Sequence, residues 1–75
     1  MKAHTVRVWF CDEWNTWCVS SYDFENNPVL ESEYTYLKAD AARLAKLRQQ
    51  NGDCSVVVIE SASGRVQNVI GSGAT

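Results

Sequence analysis

The chain has 75 residues, of which 45% are apolar and 21% charged, and its formal net charge is −2. That apolar content excludes a disordered chain, and a chain this short makes one domain, 1–75, burying about 60–65% of its unfolded surface. No apolar run approaches the ~18 residues of a membrane span, and the start MKAHTVRVWF lacks the apolar core and cleavage site of a secretory signal. A cytoplasmic protein with no membrane partner is expected.

The first element is HTVRVWFC, where Val6, Val8 and Phe10 alternate with Thr5, Arg7, Trp9 and Cys11. That period of two predicts a half-buried strand. TWCVSSY alternates in the same way, with Trp17 and Val19 set against Thr16, Cys18, Ser20 and Tyr22. Between the two lies Asp12-Glu13-Trp14-Asn15, a four-residue hairpin loop in which Asn15 can take the left-handed conformation. A loop of that length sets Cys11 opposite Thr16, Phe10 opposite Trp17 and Val8 opposite Val19. The strong hydrophobes then share one face, whereas a slip of one residue would turn Trp17 and Val19 outward. Trp9, Cys11, Cys18 and Tyr22 fall on the opposite face.

DFENNP is a turn, punctuated by asparagines and proline. A third strand over roughly 29–35 follows, with Glu31 and Glu33 on one side. The helix comes next, in YLKADAARLAKLRQQNG. Leu37, Ala41, Leu44, Ala45 and Leu47 recur at helical spacing, Thr35 is a candidate N-cap, and Asn51-Gly52 is a stop signal. CSVVVIE reads as a central β-branched strand, SASG as a turn and RVQNVI as the last strand, before a tail over 71–75. The order β-β-(β)-α-β-β predicts an α+β two-layer sandwich, an antiparallel sheet of four to five strands with one helix on one face.

Charge is unevenly spread. Residues 1–40 hold seven acids (Asp12, Glu13, Asp23, Glu25, Glu31, Glu33, Asp40) against Lys2, Arg7 and Lys38, while residues 41–75 hold Asp53 and Glu60 against Arg43, Lys46, Arg48 and Arg65. An acidic front half repels nucleic acid and attracts basic surfaces.

CDEWNTWC, residues 11–18, invites a metal or redox reading. The lone histidine and Cys11 lie seven residues apart on one strand, about 23 Å, and cannot share a metal ion. Cys11 and Cys18 are diagonal across the hairpin, near or past the ~7 Å Cα limit for a disulfide. With an odd cysteine count and a reducing compartment, free thiols are expected. No histidine sits near a nucleophile. The acid pairs 12/13 and 31/33 have no enclosed cleft to raise a carboxyl pKa, and GSG at 71–73 precedes no helix that could cradle a phosphate. No catalytic, cofactor or metal site is expected. The helix bases spread around its circumference instead of forming a stripe, which argues against direct nucleic-acid binding. What remains is a protein-binding surface: Trp9, Trp14 and Tyr22 as anchors, with Asp12, Glu13, Asp23, Glu25, Glu31 and Glu33 supplying charge.

In size, acidity, absence of motif and sheet-plus-helix plan, the chain resembles small accessory proteins of phages and mobile elements, including anti-CRISPR proteins. That resemblance implies a stoichiometric inhibitor that docks on a basic surface of a host protein complex handling nucleic acid. Separately, a monomer or a weak homodimer through an edge strand or the exposed face is expected. The alternative is a nucleic-acid-binding or operon-regulatory module of antitoxin type. A small enzyme has less support.

Overall fold

The hairpin forms in the expected register. A computed structural model describes residues 3–71, with β1 (Thr5–Cys11), β2 (Thr16–Tyr22), β3 (Glu33–Thr35), α1 (Lys38–Gln50), β4 (Val56–Glu60) and β5 (Val66–Gly71). Cys11 faces Thr16, Phe10 faces Trp17 and Val8 faces Val19, and Asn15 closes the turn with φ 51. Phe10 and Trp17, opposed on the helix side, place their rings 5.2 Å apart.

The fold is α+β, one helix on a five-stranded sheet of order β3-β2-β1-β4-β5. The sheet is mixed where an all-antiparallel one was expected, because β1 and β4 pair in parallel. The cause is the helix. Two antiparallel steps make β3 run parallel to β1, and α1 then crosses the sheet and returns the chain in the direction it left. Strand β4 therefore arrives beside β1 with the same sense.

Strand β3 is also shorter than the expected 29–35. Pro28 forms only an isolated bridge to Tyr22, and Leu30 adopts φ 63, so extended pairing starts at Glu33. At the far end, Gly71 belongs to β5 and pairs with Val56, while the rest of the expected tail lies outside the described residues.

Helix α1 begins later than Thr35. Its N-cap is Leu37, which has no side-chain cap, and the Thr35 hydroxyl donates instead to the Leu37 carbonyl at 2.8 Å. The stop is as expected. Gly52 takes φ 80 just past Asn51, and the N–H of Asp53 closes on the Arg48 carbonyl at 2.8 Å. The expected stripe holds in part: Ala41 and Ala45 are buried and Leu44 packs at the core edge, whereas Leu37 and Leu47 are 61% and 49% exposed. The helix is rolled so that its small residues meet the sheet and Gln49 comes inward. Gln49 Nε2 donates to the carbonyls of Ser55 (3.1 Å) and Ile70 (2.8 Å), tying the last helical turn to both strands at one end of the β4–β5 pair.

The core is correspondingly made of small side chains. Val6 and Val8 of β1, Val19 of β2, and Val57 and Ile59 of β4 pack on Ala41 and Ala45, with Ala3 and Cys54 at the margin. Trp17, Val29, Leu44 and Ile70 close its perimeter.

Candidate functional site at the hairpin tip

The sheet face away from the helix is organised in rows across the strands. Trp9, Cys18 and Tyr34 form one row over β1, β2 and β3. Two aromatic side chains flank the small Cys18 side chain, which is fully buried although no helix covers this face. The Trp9 indole N–H donates to Ser20 Oγ at 2.9 Å, and Ser20 and Ser32 share a hydrogen bond of 3.0 Å. The Arg7 guanidinium lies 5.1 Å from the Trp9 ring centre and pairs bidentately with Glu60. Trp9 is thus fastened on both sides rather than offered as a platform.

The neighbouring row contains Cys11 and Thr16, and Tyr36 lies one residue beyond the β2–β3 ladder. Here Trp14, Thr16, Tyr34 and Tyr36 line an open cleft of about 460 Å³. Its walls are exposed aromatics: Trp14 at 70%, Tyr34 at 63% and Tyr36 at 85%. The Thr16 hydroxyl oxygen is buried and has no hydrogen-bond partner among the described residues. Apart from the indole N–H and the phenol hydroxyls, the cleft therefore presents ring surface.

Each half of this arrangement has a local cause. The four-residue turn Asp12–Asn15 lifts Trp14 above the end of the hairpin, with Asp12 and Glu13 exposed beside it. In Glu33-Tyr34-Thr35-Tyr36 the period of two sends both tyrosines to the open face and turns Glu33 and Thr35 toward the helix. The tyrosines are absent from the residues singled out by sequence. The signal is present as Tyr-x-Tyr in an alternating segment, but only the pairing of β3 with β2 brings them to Trp14.

The structure does not gather the nine expected contact residues in one place. Asp12, Glu13 and Trp14 share the hairpin turn. Trp9 is half-buried in mid-sheet. Tyr22, Asp23 and Glu25 lie at the other end of β2, about 20 Å away for seven extended residues. Asp23 organises its own turn, its Oδ1 accepting from the N–H groups of Glu25 and Asn27, both at 2.9 Å. Glu31 is exposed before β3, and Glu33 pairs with Arg48, which also donates to Ser21 Oγ at 2.9 Å. His4 stands edge-on to Phe24, with ring centres 5.1 Å apart.

Cys11, Cys18 and Cys54 are free thiols. Burial pushes the Cys18 thiol above its ordinary pKa, with a smaller push from Cys11, and burial likewise raises Cys54. Both are held in the protonated, weakly nucleophilic form. Among the described residues no group of three His, Cys, Asp or Glu side chains could hold a metal ion, and no helix is long and apolar enough to cross a membrane. Comparison with family models, with curated proteins and with solved structures gave no match.

Proposed function

We propose that the chain is a small acidic docking protein, an inhibitor encoded by a phage or mobile element, which occupies a basic surface of a host complex that handles nucleic acid. A CRISPR-Cas effector is the class of target to try first. The observation that carries this reading is the aromatic cleft at the hairpin tip, set within an acidic stretch. Exposed Trp and Tyr side chains dominate the energetics of protein interfaces, and complementary charge chiefly speeds association. The acids oppose phosphate, which favours a protein partner over direct binding to DNA or RNA.

The test is surface-immobilised binding of the purified full chain to purified effector complexes, with and without their nucleic acid. Stoichiometric capture that bound nucleic acid competes away is expected. Trp14→Ala should weaken binding by about 2 kcal/mol or more, and Asp12→Asn with Glu13→Gln should slow association at low salt about tenfold. Failure to bind any such complex would remove the reading. Tight binding to free DNA or RNA that falls steeply with salt would replace it with the operon-regulatory alternative.

A further inference from the structure

The cleft at the hairpin tip has a charge preference as well as a shape. An aromatic ring presents a negative face, and a cation within about 6 Å of the centre of a Trp or Tyr ring is attracted to it. This protein satisfies two of its three tryptophans in that way. Arg7 lies 5.1 Å from the Trp9 centre, and the Lys38 ammonium lies 5.2 Å from that of Trp17. Trp14 has no such cation among the described residues, and neither have Tyr34 and Tyr36, which face it across the cleft.

The chain supplies none nearby in sequence either. From Val8 to Leu37 there are six acids (Asp12, Glu13, Asp23, Glu25, Glu31 and Glu33) and neither Lys nor Arg. Of the six, Glu33 is neutralised by Arg48. Among the described residues, Asp12 and Glu13, in the same turn as Trp14, have no basic partner. Three unpartnered ring faces beside two unpartnered carboxylates complement one cationic group. A nucleobase could stack on the same rings, but its phosphates would meet those acids.

We propose that the cleft receives an arginine side chain from a protein partner, its guanidinium stacked between Trp14 and the two tyrosines and counter-charged by Asp12 and Glu13. Arginine fits better than lysine because its planar, weakly hydrated head stacks on ring faces, whereas an ammonium holds its water. The inference rests on the docking reading above and names the group that is docked.

The test is a proton–nitrogen NMR titration of the full chain with N-acetyl-arginine methylamide, its lysine counterpart and its uncharged citrulline isostere. The arginine compound should shift the Trp14 indole N–H and the amides of Thr16 and Tyr34 saturably, in the millimolar range expected of one side chain. Citrulline should bind about tenfold more weakly. Trp14→Ala and Tyr36→Ala, both at exposed positions that should leave the rest of the spectrum folded, should each weaken the arginine compound about tenfold. Asp12→Asn with Glu13→Gln should remove most of the salt dependence. Equal shifts with citrulline, shifts centred elsewhere, or stronger binding of a short oligothymidylate would overturn the assignment. So would a concentration-dependent shift of Trp14 without added compound that disappears in Arg65→Ala, since the occupant would then be a second copy. Loss of the arginine response with effector binding intact rejects this pocket assignment but not the docking reading. A saturable arginine response with no effector bound supports the pocket and rejects the target class.

Discussion

Glu60 is the residue whose environment is hardest to anticipate. It closes a strand of Val-Val-Val-Ile, sits at an irregularity in the β4–β5 pairing, and has a side chain only 8% exposed. A carboxylate so placed is tolerable because Arg7, diagonal to it across the parallel β1–β4 pair, meets it bidentately, and Glu60 in turn raises the Arg7 pKa. Removing one partner strands the other, so Arg7→Ala should cost about 2–3 kcal/mol in urea unfolding, discounted for the partial exposure of Arg7. Arg7→Met combined with Glu60→Leu should recover most of that loss, and a double variant as unstable as the single one would contradict this account. The thiols give a second residue-level expectation. Cys18 and Cys54 have folded pKa values raised by burial, so between the ordinary thiol pKa and the folded value the native state holds more protons than the unfolded chain. Stability from this source is complete below about pH 8.5 and is lost as the pH climbs through the folded values. The urea midpoint should fall more between pH 7.5 and pH 10 in the native protein than in the Cys18→Ala/Cys54→Ala variant; parallel declines would assign the effect to other groups.

At the scale of elements, the hairpin and the helix behave differently. The β1–β2 register follows from alternation and loop length alone, because only one register puts Val6, Val8, Phe10, Trp17 and Val19 on a single face. The helix offers no such exclusive choice. Leu37, Ala41, Leu44, Ala45 and Leu47 all recur at helical spacing, yet only Ala41 and Ala45 are buried, with Leu44 at the core margin and Leu37 and Leu47 exposed. Small residues let the helix approach a sheet of valines closely, and the roll frees Arg48 to reach Ser21 and Glu33 and Gln49 to bind two carbonyls. Close approach leaves no room for a larger side chain. Ala45→Leu, favourable by helix propensity and hydrophobicity alone, should destabilise by about 1–3 kcal/mol. A thermal melt with unchanged or raised Tm would show that the gap between helix and sheet at Ala45 has room for a larger side chain.

For the whole molecule, the sheet order concentrates stability in the middle. Strand β1 is paired on both sides, with β2 and β4, and carries Val6 and Val8 into the core. Strand β3 is a three-residue edge following a long connection with two left-handed residues, Asn26 and Leu30. Local opening free energies follow such differences in pairing and burial. In hydrogen exchange, the amides of Val8 and Val57 should open only with global unfolding, of about 5 kcal/mol for a domain this size. Those of Tyr34 and Thr35 should exchange orders of magnitude sooner. Uniform protection across the sheet would deny that β3 is the weak edge. This matters for the cleft, because Tyr34 and Tyr36 stand at that weakly paired edge while Trp14 is carried by the turn that joins β1 to the fully paired β2.

The sequence by itself determined the elements with a strict period and a clear stop: the hairpin with its register and its Asn15 turn, the helix end at Asn51-Gly52, the β-branched β4, and the α+β sandwich they assemble into. These are local or nearest-neighbour matters, settled by alternation, turn length and backbone sterics. Of the candidate site, the turn residues Asp12, Glu13 and Trp14 were legible for the same reason. Only the tertiary structure decided the parallel β1–β4 pairing, the roll of the helix onto its alanines, the burial of Glu60 against Arg7, and the meeting of Trp14 with Tyr34 and Tyr36. Each of these depends on which distant segments become neighbours. That choice is made by the closeness with which small side chains pack and by the direction in which a helix returns the chain, and neither quantity is written in the local pattern of any one segment.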